Sequence, residues 1–344
     1  MKRSRRRERI AFVELWRFGD SVLATAGLRL LRLARPDAEI ALVSDPPFSD
    51  PLVRSGDYDM HVPFAPFWTR GRLARDKYLP WTIDYGEVSR AWRALRAFDA
   101  DTTLLFRGDP REETFFRSTC RHVVDLRSRF RTLPGVHVFE CPPGLHRYQE
   151  YVHLVRQWSG TTLTAIPHLA DVVPYRDARG PYVVLHPGAS WEFKQWNPRK
   201  IASLADRLQD AGHRVMVVGG SNDRATIDAI GRASTSAPEA QFPSTAALYA
   251  LIAGASAVVC NNSAALHIAE ALDIPCVLLN GPTDPQRFGT FRAHSVTVCR
   301  SIGLPCHPCF ERRCVMPAAP CIDRIELSEV LDALDRIGVA AMMR

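Results

Sequence analysis

Short apolar runs rich in β-branched residues alternate along this chain with longer segments whose apolar positions recur at helical spacing, and the alternation occurs in two blocks. In the first block, Ile10 to Leu15 reads as a strand, Trp16 to Gly19 as a turn, and Asp20-Ser21 as the cap of a helix that continues to Ala34. Arg35-Pro36-Asp37 ends that helix and Glu39 to Val43 is the next strand, so the chain opens with a βαβ unit. Strands are predicted again at Thr102 to Phe106, His122 to Leu126 and Val136 to Phe139, with a helix from Arg147 to about Ser159. Between Pro46 and Phe98 no period holds: prolines and aromatics alternate with Arg70, Arg72, Arg75 and Lys77. That mixture suits a variable loop region facing an acceptor, and equally a surface helical excursion.

The second block is more regular. Tyr182 to Leu185 is a buried-strand pattern that stops at His186-Pro187-Gly188-Ala189. A loop follows, carrying Ser190 and a lone Lys194 between two tryptophans, and Asn197-Pro198 then caps a helix from Arg199 to about Ala211. Strand Arg214 to Val218 leads through Gly219-Gly220-Ser221-Asn222-Asp223 to a helix from Arg224 to Ala233. A helix from Thr245 to Ala253, a strand from Ala257 to Cys260, Asn261-Asn262-Ser263 and a helix from Ala264 to Ala271 come next. Strand Cys276 to Leu279 and Gly281-Pro282-Thr283-Asp284-Pro285 follow, and a helix from Leu327 to Ile337 closes the chain. Two doubly wound α/β sheets are expected, joined through the proline- and glycine-rich stretch 167–181.

Composition changes this picture little, and charge changes it in one place. At 344 residues the chain is long for a single core, so two domains are the default. The formal net charge of +7 points toward nucleic acid until it is located: Lys2, Arg3, Arg5, Arg6, Arg7 and Arg9, less Glu8, put +5 in the first nine residues. The remaining body is nearly neutral, and the arm reads as solvated or as a contact for anionic lipid. No apolar run reaches the ~18 residues of a membrane span, and Glu14, Arg17 and Asp20 interrupt what would be a signal-peptide core. The expectation is a cytoplasmic protein that meets a membrane, if at all, at its surface.

Loops leaving the carboxyl ends of neighbouring parallel strands converge on one crevice, where ligands of open α/β sheets bind. Here they are 186–194, 219–223, 261–264 and 281–284. Small residues at Asn262-Ser263-Ala264 open a helix directly, so unpaired N–H groups face the crevice with His267 one turn in, and an anion is the natural guest. Lys194 adds a positive charge. Taken singly, His186 could be a strand-end histidine bonded to backbone, Lys194 a solvated lysine and the tryptophans core residues. Asp20 at a helix N-terminus reads either as an N-cap worth about 1 kcal/mol or as a general base at the mouth of the first sheet.

The ordered set of motifs resembles the heptosyltransferase-like glycosyltransferases, family 9 of the inverting GT-B enzymes, over nearly the whole chain. It rests on Gly19-Asp20, His186-Pro187-Gly188-Ala189 with Lys194 and Trp196, Asn262-Ser263 with His267-Ile268-Ala269 and Pro275, Gly281-Pro282-Thr283-Asp284-Pro285, and a closing cysteine cluster. The resemblance implies a GT-B architecture, two Rossmann-like domains facing a central cleft, in which residues 10–172 hold the acceptor and 182–325 a nucleotide-diphosphate sugar, typically ADP-heptose. Residues 1–9 would then be the basic arm, 173–181 the linker and 326–344 the C-terminal helix. Asp20 would deprotonate the acceptor hydroxyl and Lys194 would neutralise the departing diphosphate. Donor contacts would come from His186, Gly188, Ala189, Ser190, Gly219, Ser221, Asn262, Ser263, Ala264, His267, Thr283 and Asp284. The implied product is a lipopolysaccharide-type or other cell-surface glycan, made in the cytoplasm at the inner membrane face with no cofactor needed for catalysis. Asn262 stands where the family usually has Asp, and Glu14 where its first strand usually ends in a basic residue.

Cys306, Cys309, Cys314 and Cys321 fall within sixteen residues, close enough in sequence for a tetrahedral zinc site, for a pair of labile disulfides, or to remain free thiols. None of these readings makes them catalytic. Other function classes are a non-catalytic nucleotide-sugar binder, a nucleotide-sugar hydrolase or epimerase, and a nucleic-acid binder using the arm. The last leaves two sheets with convergent loops unexplained, and an oxidoreductase lacks the glycine fingerprint after any strand.

Overall fold

The computed structural model describes residues 6–69, 83–126, 133–309, 314–315 and 320–339. The basic stretch from Arg70 to Lys77, and residues 1–5 of the arm, lie outside them. The chain forms two compact units, Met1–Ala170 and Asp171–Arg344.

The first unit contains β1 (Arg9–Glu14), α1 (Phe18–Ala34), β2 (Glu39–Ser44), α2 (Asp50–Ser55), β3 (Met60–Pro63) and α3 (Tyr85–Phe98). It continues with β4 (Thr102–Leu104), α4 (Pro110–Arg117), β5 (His122–Leu126), β6 (Val136–Phe139) and α5 (Arg147–Ser159). All six strands are parallel, in the order β3-β2-β1-β4-β5-β6. Central β1 and β2 are buried at five of six positions, as a strand covered on both faces must be. Helix α1 lies against α5 so closely that a Cβ on Gly27 would come within 2.8 Å of the Tyr151 Cβ, which is why that position has no side chain.

The second unit repeats the plan with β7 (Tyr182–His186), α6 (Pro198–Asp210), β8 (Arg214–Val218), α7 (Arg224–Ala233), β9 (Glu239–Gln241) and α8 (Thr245–Ala253). Then come β10 (Ala257–Asn261), α9 (Ala264–Ala271), β11 (Cys276–Asn280), α10 (Pro285–Phe288), β12 (Val296–Cys299) and α11 (Leu327–Arg336). Its parallel order is β12-β11-β10-β7-β8-β9. In each unit the first and fourth strands are neighbours and the chain winds away from them on either side. The topological switch points, where a crevice opens beyond the strand ends, therefore lie between β1 and β4 and between β7 and β10.

Two expectations about local structure change. Residues 6–9 are not a free arm: Arg6 pairs with Asp99 at 2.9 Å, and Arg9 begins β1 and pairs with Glu39 at 2.7 Å. Asp20 is not the cap of α1; that position is Arg17, and Asp20 lies inside the first turn. The elements that periodicity overlooked are β3, β9, β12, α2, α4 and α10, all short, and the 14-residue α3, which falls in the stretch read as either a loop region or a surface helical excursion. Edge strands such as Glu239-Ala240-Gln241 carry polar residues because one side faces water, and so lose the apolar signature.

Candidate active site

At the switch point of the first unit, strand β1 delivers Glu14 into a buried polar cluster. Its carboxylate accepts from the Trp16 N–H at 2.7 Å and from the Tyr151 hydroxyl. Burial above all, then the charge of Asp20, pushes Glu14 up to about 7, against the pull of Arg147. Arg147 opens α5 and is almost wholly buried. Its Nη1 donates to Glu150 and, at 3.3 Å, to the Phe106 carbonyl; its Nη2 donates to the Tyr151 oxygen at 3.0 Å; its Nε faces Asp20 at 3.7 Å. Burial opposes the guanidinium charge, but Tyr151, Glu150, Asp20 and Glu14 hold it firmly protonated. The exposed Trp16 ring has two guanidinium groups against it, Arg107 at 4.4 Å and Arg147 at 5.6 Å from its centre. Asp20 stands in the first turn of α1, at the positive end of its dipole, with the buried Arg147 beside it.

At the switch point of the second unit the strand ends bring several of the predicted residues together. His186 ends β7, and burial keeps its imidazole below the usual range, hence neutral, although the Asp223 charge pulls the other way. A Cβ on Gly188 would sit 2.6 Å from the Asp223 carboxylate, and one on Gly219 would sit 2.9 Å from both Asp223 and Ile227. Glycine at both positions lets the loops after β7 and β8 touch. Asp223 also accepts the Gly220 N–H at 2.8 Å, which fixes the turn carrying Ser221. Ala189 accepts from the Gln195 amide at 3.3 Å, and Ser190 is exposed. Lys194, half-buried in a single turn of 3-10 helix, holds its Nζ 4.5 Å from the Trp191 ring centre.

The whole loop is tied to β10. Asn261 accepts the Trp196 N–H at 3.2 Å and donates to the Pro187 carbonyl at 2.6 Å. Asn262 donates to the Phe288 carbonyl at 2.8 Å. A carboxylate could not make that bond, which gives a physical reason for Asn where Asp is usual. Ser263 caps α9 with extended backbone, and its hydroxyl is buried without a hydrogen-bond partner among the described residues. Behind it come the small residues Ala264 and Ala265, and His267 is buried one turn on. Thr283 and Asp284 have local duties: the Thr283 hydroxyl donates to the Asn280 side chain at 2.6 Å, and Asp284 caps α10 by accepting from Gln286.

The cysteine loop braces this last turn. Cys309 N–H donates to the Pro282 carbonyl at 2.8 Å, and Ile322, just after Cys321, packs so tightly on Gly281 that a Cβ there would be 2.8 Å away. Burial, then Cys314, Cys306 and Cys309, push the Cys321 thiol up to about 11. All four cysteines are thiols in the structure. The donor chemistry fits a thiophilic ion, but among the described residues no three Cys, His, Asp or Glu side chains stand at metal-holding separation.

A family model described as "Glycosyltransferase family 9 (heptosyltransferase)" matches residues 90–319, two thirds of the chain. The chain belongs to glycosyltransferase family 9. Lipopolysaccharide heptosyltransferase 1 of Pseudomonas aeruginosa is 32% identical over 141 residues, 40% of this chain and 39% of that protein. Lipopolysaccharide heptosyltransferase 2 of Salmonella typhimurium is 33% identical over 36% of this chain and 37% of its own length, so these matches span well under half of either relative. The fold agrees over much more. E. coli ADP-heptose lipopolysaccharide heptosyltransferase II superposes with a TM-score of 0.74 at 18% identity, covering 97% of this chain and 99% of that one. The family 9 glycosyltransferase of Veillonella parvula gives 0.77 at 16%, covering 96% and 97%. The architecture is GT-B.

Within this family 9 fold, the residues that sequence reasoning passed over are Arg147, Glu150 and Tyr151, with Asn280; Asn261 and Asp223 fall in the predicted crevice loops but without a role of their own. The first three had a faint signal: a charge, a charge and a phenol at i, i+3 and i+4 on the apolar face of α5. No helix among the described residues is long and apolar enough to cross a membrane.

Proposed function

We propose that this family 9 protein is an inverting glycosyltransferase that moves a heptose from ADP-heptose onto a lipopolysaccharide-type acceptor. We place that activity in the cytoplasm, at the inner membrane face. The observation that carries the reading is the second unit's switch point, where the buried Ser263 hydroxyl, without a hydrogen-bond partner among the described residues, stands at the start of α9 and the loop bearing Lys194 leaves the neighbouring strand β7. Such a seat suits a diphosphate, with N–H donors and one cation on the leaving-group side. Lys194 and the α9 N-terminus stabilise the charge that builds on the diphosphate as the glycosidic bond breaks. Asp20 takes the proton of the attacking acceptor hydroxyl as the new bond forms on the opposite face of the sugar, so no covalent intermediate is required.

Thermal stabilisation by ADP-heptose, with GDP- and UDP-sugars for comparison, tests the donor half. A selective upward shift with ADP-heptose is expected, and Lys194→Ala should weaken the donor by roughly 10- to 100-fold, the worth of one charge-assisted hydrogen bond. A shift with another nucleotide sugar replaces the donor, and no shift in folded protein removes the transferase reading. Turnover with water alone as acceptor would point instead to a hydrolase or epimerase.

No metal takes part in this reaction. The four cysteines are proposed as a structural zinc site whose sulfurs close up on the ion and so fix the loop under Gly281. Purified protein should carry about one zinc per chain, and a chelator should lower its Tm while raising the count of reactive thiols. A metal-free protein of unchanged Tm would leave them as thiols.

A further inference from the structure

Strand β1 ends in a buried carboxylate, Glu14, that the proposed mechanism does not use. It lies beside the Asp20 charge and is wired to the same arginine: Arg147 donates to Tyr151, Tyr151 donates to Glu14, and the remaining Arg147 nitrogen faces Asp20. The groups packed on this cluster are Glu14 and the Trp16 N–H after β1, Asp20 from α1, Arg147, Glu150 and Tyr151 from α5, the Phe106 carbonyl after β4, and Arg107 across the Trp16 ring. Three carboxylates thus share one buried cation, with Arg107 committed to Glu112 at 2.8 Å. Such a set cannot carry three full negative charges cheaply, so the occupancy of one acid controls the others.

We propose that Glu14 is a positioning residue that sets how strongly Asp20 holds a proton, acting through the Tyr151–Arg147 bridge and its own charge. With Glu14 protonated, Arg147 has only Glu150 and Asp20 to neutralise, and it makes Asp20 a weaker base. Once Glu14 ionises, the guanidinium is shared, a second negative charge faces Asp20, and Asp20 takes a proton more readily. Glu14 changes state near neutral pH, so base strength rises with pH across that range. This inference rests on the reading of Asp20 as the base.

Carboxyl 13C NMR of the full chain tests the coupling without any substrate. In wild type the Glu14 signal should titrate near neutrality, and in Asp20→Asn its midpoint should fall by about half a pH unit or more, a threefold or larger change. Because linkage is reciprocal, that shift equals the gain in Asp20 proton affinity when Glu14 ionises. A Glu14 midpoint that does not move in Asp20→Asn overturns the proposal. In kinetics with ADP-heptose and heptose-free lipopolysaccharide core, kcat/KM should rise through the Glu14 midpoint in wild type and be flat there in Glu14→Gln. The same rise in folded Glu14→Gln also overturns it. Undiminished transfer by Asp20→Asn would remove the base reading instead, whatever the NMR coupling shows.

Discussion

Asp20→Asn should leave the protein folded and able to bind its donor, yet cut transfer by roughly 10²- to 10⁴-fold, the usual worth of a positioned general base. The substitution is nearly isosteric and removes only the charge and the proton-accepting capacity. Asp20 is not the cap of α1, so what the helix loses with its charge is the first-turn dipole interaction, about 0.3–1 kcal/mol. The measurement is kcat on heptose-free lipopolysaccharide core beside donor-induced thermal stabilisation of the same preparation. Reduced kcat with an unchanged donor shift is the expected pair. Equal loss of both would mean that Asp20 serves the fold, and no loss of either would mean that another group takes the proton.

A comparable free energy is expected from Trp196→Ala, this time in stability. Trp196 is fully buried in the core of the second unit, and its indole N–H donates to the Ile325 carbonyl at 3.1 Å. Truncation of a buried Trp costs about 3–5 kcal/mol through lost transfer energy and the cavity left behind. The carbonyl itself is not orphaned, since Lys200 also donates to it at 2.9 Å, which argues for the lower end of that range. The consequence for the site is larger than its distance suggests. The Trp196 backbone N–H is held by Asn261, and Asn261 in turn holds Pro187, so a loosened Trp196 frees the loop carrying Lys194. Chemical denaturation should show the fall in stability, and Trp196→Phe should recover part of it. A loss below about 1 kcal/mol would show that the site collapses around the smaller residue.

These two residues also mark how far the sequence could be read. Lys194, Ser263 and Gly188 were legible because each stands where a β-branched run breaks at proline, glycine or serine, and strand ends in α/β sheets are where ligands sit. Asp20 was legible as a carboxylate near a helix start, but not as a base or a cap. The two readings place it in the same stretch of chain, and only the backbone geometry shows that Arg17 fills the cap position. The Thr283 and Asp284 side chains, expected from sequence as donor contacts, also hold their own loop in the fold.

The sequence by itself determined the two α/β blocks, the positions of the long helices and inner strands, and the loops that would form the site. Those follow from local periodicity and turn chemistry, which act over a few residues. Only the tertiary structure decided that Arg147 and Tyr151, more than a hundred residues away, meet Glu14 and Asp20, because that meeting depends on α5 packing across α1 at Gly27. The same holds for Asp223 closing over Gly188, and for Asn262 bonding a carbonyl that an aspartate could not. Burial turns such distant encounters into chemistry. A carboxylate that would be an ordinary surface acid in an open chain is pushed up to about 7 once its water is removed and a second carboxylate, Asp20, is placed beside it, against the pull of Arg147.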